Sequence, residues 1–107
     1  MNETNELIMQ VIAYSGESKT YAHEALDKAL EGDFEKADEV IKKSKEILIS
    51  ANKYSFKLLE MEANGIEIKN HLLATHALDH LATAEITNDY SKDLIKVLKA
   101  NRKEKND

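Results

Sequence analysis

Glu31-Gly32-Asp33-Phe34 is the stretch that turns a run of helical periodicity into a fold. A glycine just past a helix adopts the left-handed conformation without steric cost, and an aspartate beside it can cap whatever helix follows. Gly32 thus closes one helix, Asp33 opens the next, and a tight antiparallel hairpin results. Upstream, Ile8, Val11, Ser15, Ser18, Ala22, Ala25 and Ala29 recur at alternating spacings of three and four. This is the seam of a helix expected from Thr4 or Asn5, either of which can cap, to about Leu30. Its later positions are all small, so a neighbouring helix can come close. Gly16 inside this run costs about 1 kcal/mol against alanine and reads as a close-packing or bending position, or as a tolerated defect. Downstream, Phe34, Ala37, Ile41, Ser44, Leu48, Ala51, Ser55 and Leu58 form one seam. Val40, Ile47, Tyr54 and Met61 form a second stripe beside it, so helix 2 buries a wide face.

Asn64-Gly65 makes the second break, and Ile66-Glu67-Ile68-Lys69 is a short connection with some extended character. Asn70 is the expected cap of helix 3. The helices are expected at about residues 5–30, 34–63 and 71–101 of a single domain, 1–107. Composition agrees: no proline, three glycines and 42% hydrophobic residues belong to long helices around a modest core. The fold class expected is all-α, an antiparallel three-helix bundle. Helices of about thirty residues are about 45 Å long at 1.5 Å per residue, which makes the bundle slender.

The same composition excludes several chemistries. With no cysteine there are no disulfides, no thiolate chemistry and no cysteine-ligated zinc, which fits a reducing cytosol. Met1 to Glu6 shows no basic region followed by an apolar run, so no signal peptide is expected, and no segment approaches membrane-spanning length. A net charge of −5 disfavours nonspecific binding to nucleic acid or anionic lipid. Lys99, Arg102, Lys103 and Lys105, mixed with Glu104 and Asp107, read as a solvated helix end or frayed tail.

Helix 3 carries two seams. Leu73, Ala77, Leu81, Ala84, Leu94, Ile95 and Leu98 have the character of an intramolecular core. Leu72, His76, Asp79, Thr83, Ile86, Tyr90 and Val97 keep heptad spacing but are polar in the middle. Two such faces exceed what one three-helix bundle covers, which implies self-association through helix 3. Near a symmetry axis Asp79 would meet its own copies, and like carboxylates at close range require a cation or shared protons. An oxygen-preferring ion such as Mg²⁺ or Ca²⁺ fits that demand. The competing reading is an Asp79 in solvent or paired with a lysine.

His76 and His80, one turn apart, allow two chemistries. As an i, i+4 pair they can ligate a transition metal, with Asp79 third. Neutral imidazole is also a nucleophile for phosphorus, and His76 is available near neutral pH because imidazole titrates around 6.5. The order of residues is not that of helical zinc proteases, and no serine or cysteine nucleophile accompanies it. On these residues alone a surface or packing histidine outweighs a phosphoryl carrier. His71 and His23 read as surface residues, and Tyr14 and Tyr21 as packing or interface residues.

Several stretches in the same order resemble one family, the enzyme IIA component of lactose, cellobiose and chitobiose phosphotransferase systems, over about residues 7–100. Ser15-Gly16-Glu17-Ser18-Lys19 with Ala22-His23-Glu24-Ala25-Leu26 is similar to its helix 1 signature. Gly32-Asp33-Phe34 with Ala37, and Glu62-Ala63-Asn64-Gly65, are similar to its turns. Leu72-Leu73-Ala74-Thr75-His76-Ala77-Leu78-Asp79-His80-Leu81 resembles its active-site helix. The resemblance implies a cytoplasmic homotrimer whose His76 takes a phosphoryl group from the phosphocarrier HPr. It then passes the group to a cysteine of the IIB component, coupled to sugar uptake through IIC. Asp79 would be the metal-associated aspartate near the trimer axis, with Mg²⁺ or a similar divalent cation, and His80 the second histidine. His80 and Thr83 are then candidate hydrogen-bond donors to the phosphoryl group. Leu78 and Ala82 depart from the Gln and Met of many relatives, and the lost amide bears on phosphoryl contacts and partner choice. The alternatives are a noncatalytic helical interaction module and a metal-binding bundle using His76 and His80.

Overall fold

A computed structural model describes residues 2–106, with side chains described as far as Arg102. Helix α1 runs Glu3–Leu30, α2 Phe34–Ala63 and α3 His71–Asn106. The first helix starts earlier than expected because Asn2 is its cap: the Asn2 side chain accepts the Asn5 backbone N–H at 2.8 Å. Thr4 donates its hydroxyl to the same oxygen at 2.7 Å and is buried.

Both breaks are built alike. Gly32 and Gly65 each hold φ near +88°. The Gly32 and Asp33 N–H groups reach back to the Ala29 and Lys28 carbonyls at 3.0 and 2.9 Å. Gly65 and Ile66 do the same to Glu62 and Met61, at 3.0 Å each. These paired bonds satisfy the last carbonyls of α1 and α2. Asp33 also caps α2, its carboxylate accepting the Lys36 N–H at 3.1 Å. Asn70 holds the corresponding place before α3, where its carbonyl accepts the Ala74 N–H at 2.9 Å. Its side-chain amide turns away to donate to Asn5 Oδ1 at 2.6 Å, tying the start of α3 to α1.

Among the described residues there is no strand. The molecule measures 61 × 20 × 18 Å, its length set by α3, whose 36 residues span about 54 Å. α1 packs against both other helices, and the contact between α2 and α3 is the thinnest. The far end of α3 reaches the first hairpin: Lys99 pairs with Asp38, and the Arg102 guanidinium lies over the Phe34 ring at 5.7 Å. Part of the basic end therefore contacts the hairpin while its side chains stay open to solvent. The side chains of Lys103, Glu104, Lys105 and Asp107 fall outside the described residues.

The core comes in two apolar pieces. One holds Ile8, Val11, Leu48, Leu58, Ala77 and Leu81; the other holds Ala22, Ala25, Val40, Ile41 and Ile95. Between them in each helix stand buried polar residues: Ser15 and Ser18 in α1, Ser44 in α2, Asn88 and Ser91 in α3. Ser18 and Ser44 exchange hydroxyl-to-carbonyl bonds at 2.9 and 2.8 Å, and Asn88 Nδ2 donates to Ser44 Oγ at 3.0 Å. Asn88 Oδ1 and Ser15 Oγ have no partner among the described residues. The inward register of α3 is thus 77, 81, 84, 88, 91 and 95. Leu94, placed in the core by its apolar character, is 48% exposed, because the true register passes through Ser91 and Ile95. Among the described residues of the subunit Gly16 serves no close approach: a Cβ there would meet nothing within 4 Å.

Candidate functional site

Four side chains of α3 build the site, and α-helical spacing alone aligns them: residues three, four and seven apart lie on one face. His76, Asp79 and Thr83 are exposed, and His80 is half-buried. The imidazoles stand edge to face with centroids 4.5 Å apart, and His76 Nε2 lies 3.0 Å from His80 Nε2. One proton bridges two nitrogens at that distance, so one ring donates and the other presents a lone pair. Burial holds the His80 pKa below the usual imidazole value of 6.5, with His76 and the Lys19 charge acting in the same direction and Asp79 opposing them. A neutral His80 has one N–H to give.

Thr83 Oγ1 donates to the Asp79 carbonyl at 2.8 Å, the bond by which an exposed helical threonine commonly spends its proton. Asp79 is exposed and forms no ion pair with a lysine or arginine among the described residues. No three histidine, aspartate or glutamate side chains among the described residues converge on a metal position within the subunit. His76 and His80 therefore lack a third ligand here, and Asp79 suits a cation only if further carboxylates join it from other copies of the chain.

One residue joins this cluster that sequence spacing did not reveal. Lys19, on α1, lines a shallow cleft of about 220 Å³ together with His76, Asp79, His80 and Thr83. Its available signals were its place directly after Ser18, a buried seam position, and its membership of the Ser15–Lys19 stretch that resembles the family's helix 1; neither sets it beside α3. A wider open groove of about 870 Å³ runs from His76 and Asp79 past Leu72 to His71 and Lys69. His71 is exposed at the start of α3 and shares this groove, not the cleft. His23 is exposed on α1, Tyr14 stacks on Tyr54 at 5.5 Å, and Tyr21 lies under the Lys43 ammonium at 4.7 Å. Tyr14 and Tyr21 are packing residues within the subunit.

Fold and site together define a class: a strand-free, three-helix protein with a pair of interacting imidazoles on the outward face of its last helix. Residues 6–99 match the family model described as the lactose/cellobiose-specific IIA subunit of the phosphotransferase system. The chain is 32% identical to the lactose-specific EIIA component of Staphylococcus epidermidis, over 92% of this chain and 94% of that one. The crystal structure of the cellobiose-specific enzyme IIA from Bacillus anthracis superposes with a TM-score of 0.90 at 30% identity, over 95% of this chain and 94% of that one. The IIA(chitobiose)–HPr complex of Escherichia coli gives 0.83 at 29% identity, over 95% and 99%. The chain belongs to the lactose/cellobiose-specific IIA family of the phosphotransferase system, and is thus a component of phosphotransferase-dependent sugar uptake. Among the described residues no helix is long and apolar enough to cross a membrane.

Proposed function

We propose that His76 is the phosphoryl carrier, loaded by HPr and discharged to a cysteine of a IIB component, in the cytoplasm. The observation that carries this is the exposed His76 imidazole held 3.0 Å from a second, half-buried imidazole on the helix that resembles the family's active-site helix. A structural neighbour described as a IIA–HPr complex supports the choice of donor.

With His80 donating from Nε2, the His76 lone pair is on Nε2 and its proton on Nδ1. In-line attack forms a bond from that nitrogen to phosphorus while the N–P bond of phospho-HPr breaks, its electron pair returning to the donor imidazole. In the second transfer a cysteine thiolate attacks phosphorus and the N–P electrons return to His76. Such transfers depend on positioning and charge stabilisation more than on further covalent chemistry. His80 Nε2–H, released from His76 when the nitrogen is phosphorylated, is then free to donate to a phosphoryl oxygen. Thr83 can donate only by giving up the Asp79 carbonyl.

Assembly as a homotrimer through α3 accounts for the remaining face. Leu72, Ile86, Tyr90 and Val97 are exposed, Leu72 by 86%, on the seam that also carries Asp79. Apolar side chains repeating at that spacing need a partner helix. Three Asp79 carboxylates brought together would hold Mg²⁺ or a similar divalent cation, which would supply charge neutralisation to the assembly. Leu78 is 42% exposed and lines a separate groove with Leu58 and Leu59 of α2, on the side of α3 away from His76 and His80. Within the subunit it offers an apolar contact at that groove and none at the cleft.

The carrier reading is tested by mixing the protein with phospho-HPr and measuring intact mass before and after acid treatment. An acid-labile phosphoryl adduct is expected, and none with His76→Ala. An adduct retained by His76→Ala moves the site elsewhere. Binding of HPr without any adduct favours the noncatalytic interaction module.

A further inference from the structure

We infer that Lys19, the one group in the cleft contributed by α1, binds the phosphoryl group carried by His76 and sets how readily this protein holds it. The inference rests on the carrier reading of His76.

Lys19 lines the same 220 Å³ cleft as His76, His80, Asp79 and Thr83. It is half-buried, and its charge is close enough to act on His80 across the cleft. Among the described residues its Nζ has no carboxylate within ion-pair distance and donates no hydrogen bond, although Asp79 lines the same cleft. The other side chains there are two imidazoles, a threonine whose proton is committed to a carbonyl, and a carboxylate. None of these supplies a permanent positive charge.

A phosphoryl group on His76 brings roughly two negative charges next to Asp79, and the cleft as it stands adds only the neutral His80 donor. An ammonium with no existing partner meets that charge without breaking any bond of the resting state. It interacts more strongly with the loaded carrier, where the phosphoryl charge adds to that of Asp79, than with the empty one. Lys19 transfers no proton; it donates to a phosphoryl oxygen. Because it is fixed on α1, the cleft between α1 and α3 becomes part of the carrier site, where α3 alone had seemed sufficient.

The test equilibrates wild-type protein, Lys19→Met and Lys19→Arg with phospho-HPr at low ionic strength and measures the phosphorylated fraction of each by intact mass. Lys19→Met keeps the apolar stem and removes the charge. It should lower the equilibrium constant for acceptance about tenfold, or about 1.4 kcal/mol. Lys19→Arg should restore most of it, and added salt should narrow the gap between wild type and Lys19→Met. Equal acceptance by wild type and Lys19→Met overturns the inference. So does equal impairment of the Met and Arg variants with unchanged helicity, which would mark Lys19 as structural only. If wild-type protein takes no phosphoryl group at all, the carrier reading fails and this inference with it.

Discussion

His80 shows how far one residue's surroundings decide its chemistry. Burial beside His76 and Lys19 holds it neutral below the usual value of 6.5. Between its folded and unfolded values the unfolded chain binds more protons, so stability rises with pH across that window. The contribution is complete above about 6.5, the unfolded value, and is lost as pH falls through the lower folded one. A histidine titration followed by NMR should give His80 a midpoint below 6.5; a midpoint at or above it would mean the ring is open to water. At this scale the sequence was informative where residues lie on one helix. Spacing alone aligned His76, Asp79, His80 and Thr83. Lys19 stayed hidden because its neighbourhood depends on how α1 is set against α3, which no local pattern encodes.

Among the elements, the helices were readable from their punctuation. Gly32 and Gly65 end α1 and α2 as glycine requires, and Asp33 caps as its position suggests. Inward polar residues are readable on α1 and α2, where Ser15, Ser18, Ser44 and Ser55 keep the seam spacing, but not on α3. Asn88 and Ser91 look like surface residues by type, so the α3 seam reads as Leu94 and Ile95, of which only Ile95 is buried. The three glycines also differ in kind. Gly32→Ala should cost about 1–2 kcal/mol, because an L-residue is strained at φ +88° and Arg102 must move aside. Gly16→Ala, in open space on a continuous helix, should stabilise the subunit by up to about 1 kcal/mol. Urea melts of the two variants compare these directly. If Gly16→Ala destabilises the protein, the glycine accommodates something beyond the subunit.

On the scale of the whole molecule, an uncovered seam on α3 is the feature that most affects behaviour in solution. Light scattering should give the mass of three chains, and chelation of divalent ions should weaken the assembly through repulsion among Asp79 side chains. Asp79→Asn removes that charge and should assemble equally well with or without chelator. A monomer at all working concentrations would leave Leu72, Ile86, Tyr90 and Val97 without a partner copy. The polar layer of Ser18, Ser44 and Asn88 divides the core into two apolar compartments of unequal strength. The compartment under the histidines is rich in leucine and isoleucine, whereas the one behind the first hairpin is mostly alanine. Larger side chains remove more area from water, so the hairpin end is the softer of the two. Local opening should start there and halt at the serine–asparagine layer, so that amides near Ala25 and Ile41 exchange with solvent before those near Leu48 and Ala77. α3 would keep its shape around the paired imidazoles while the far end of the rod frays.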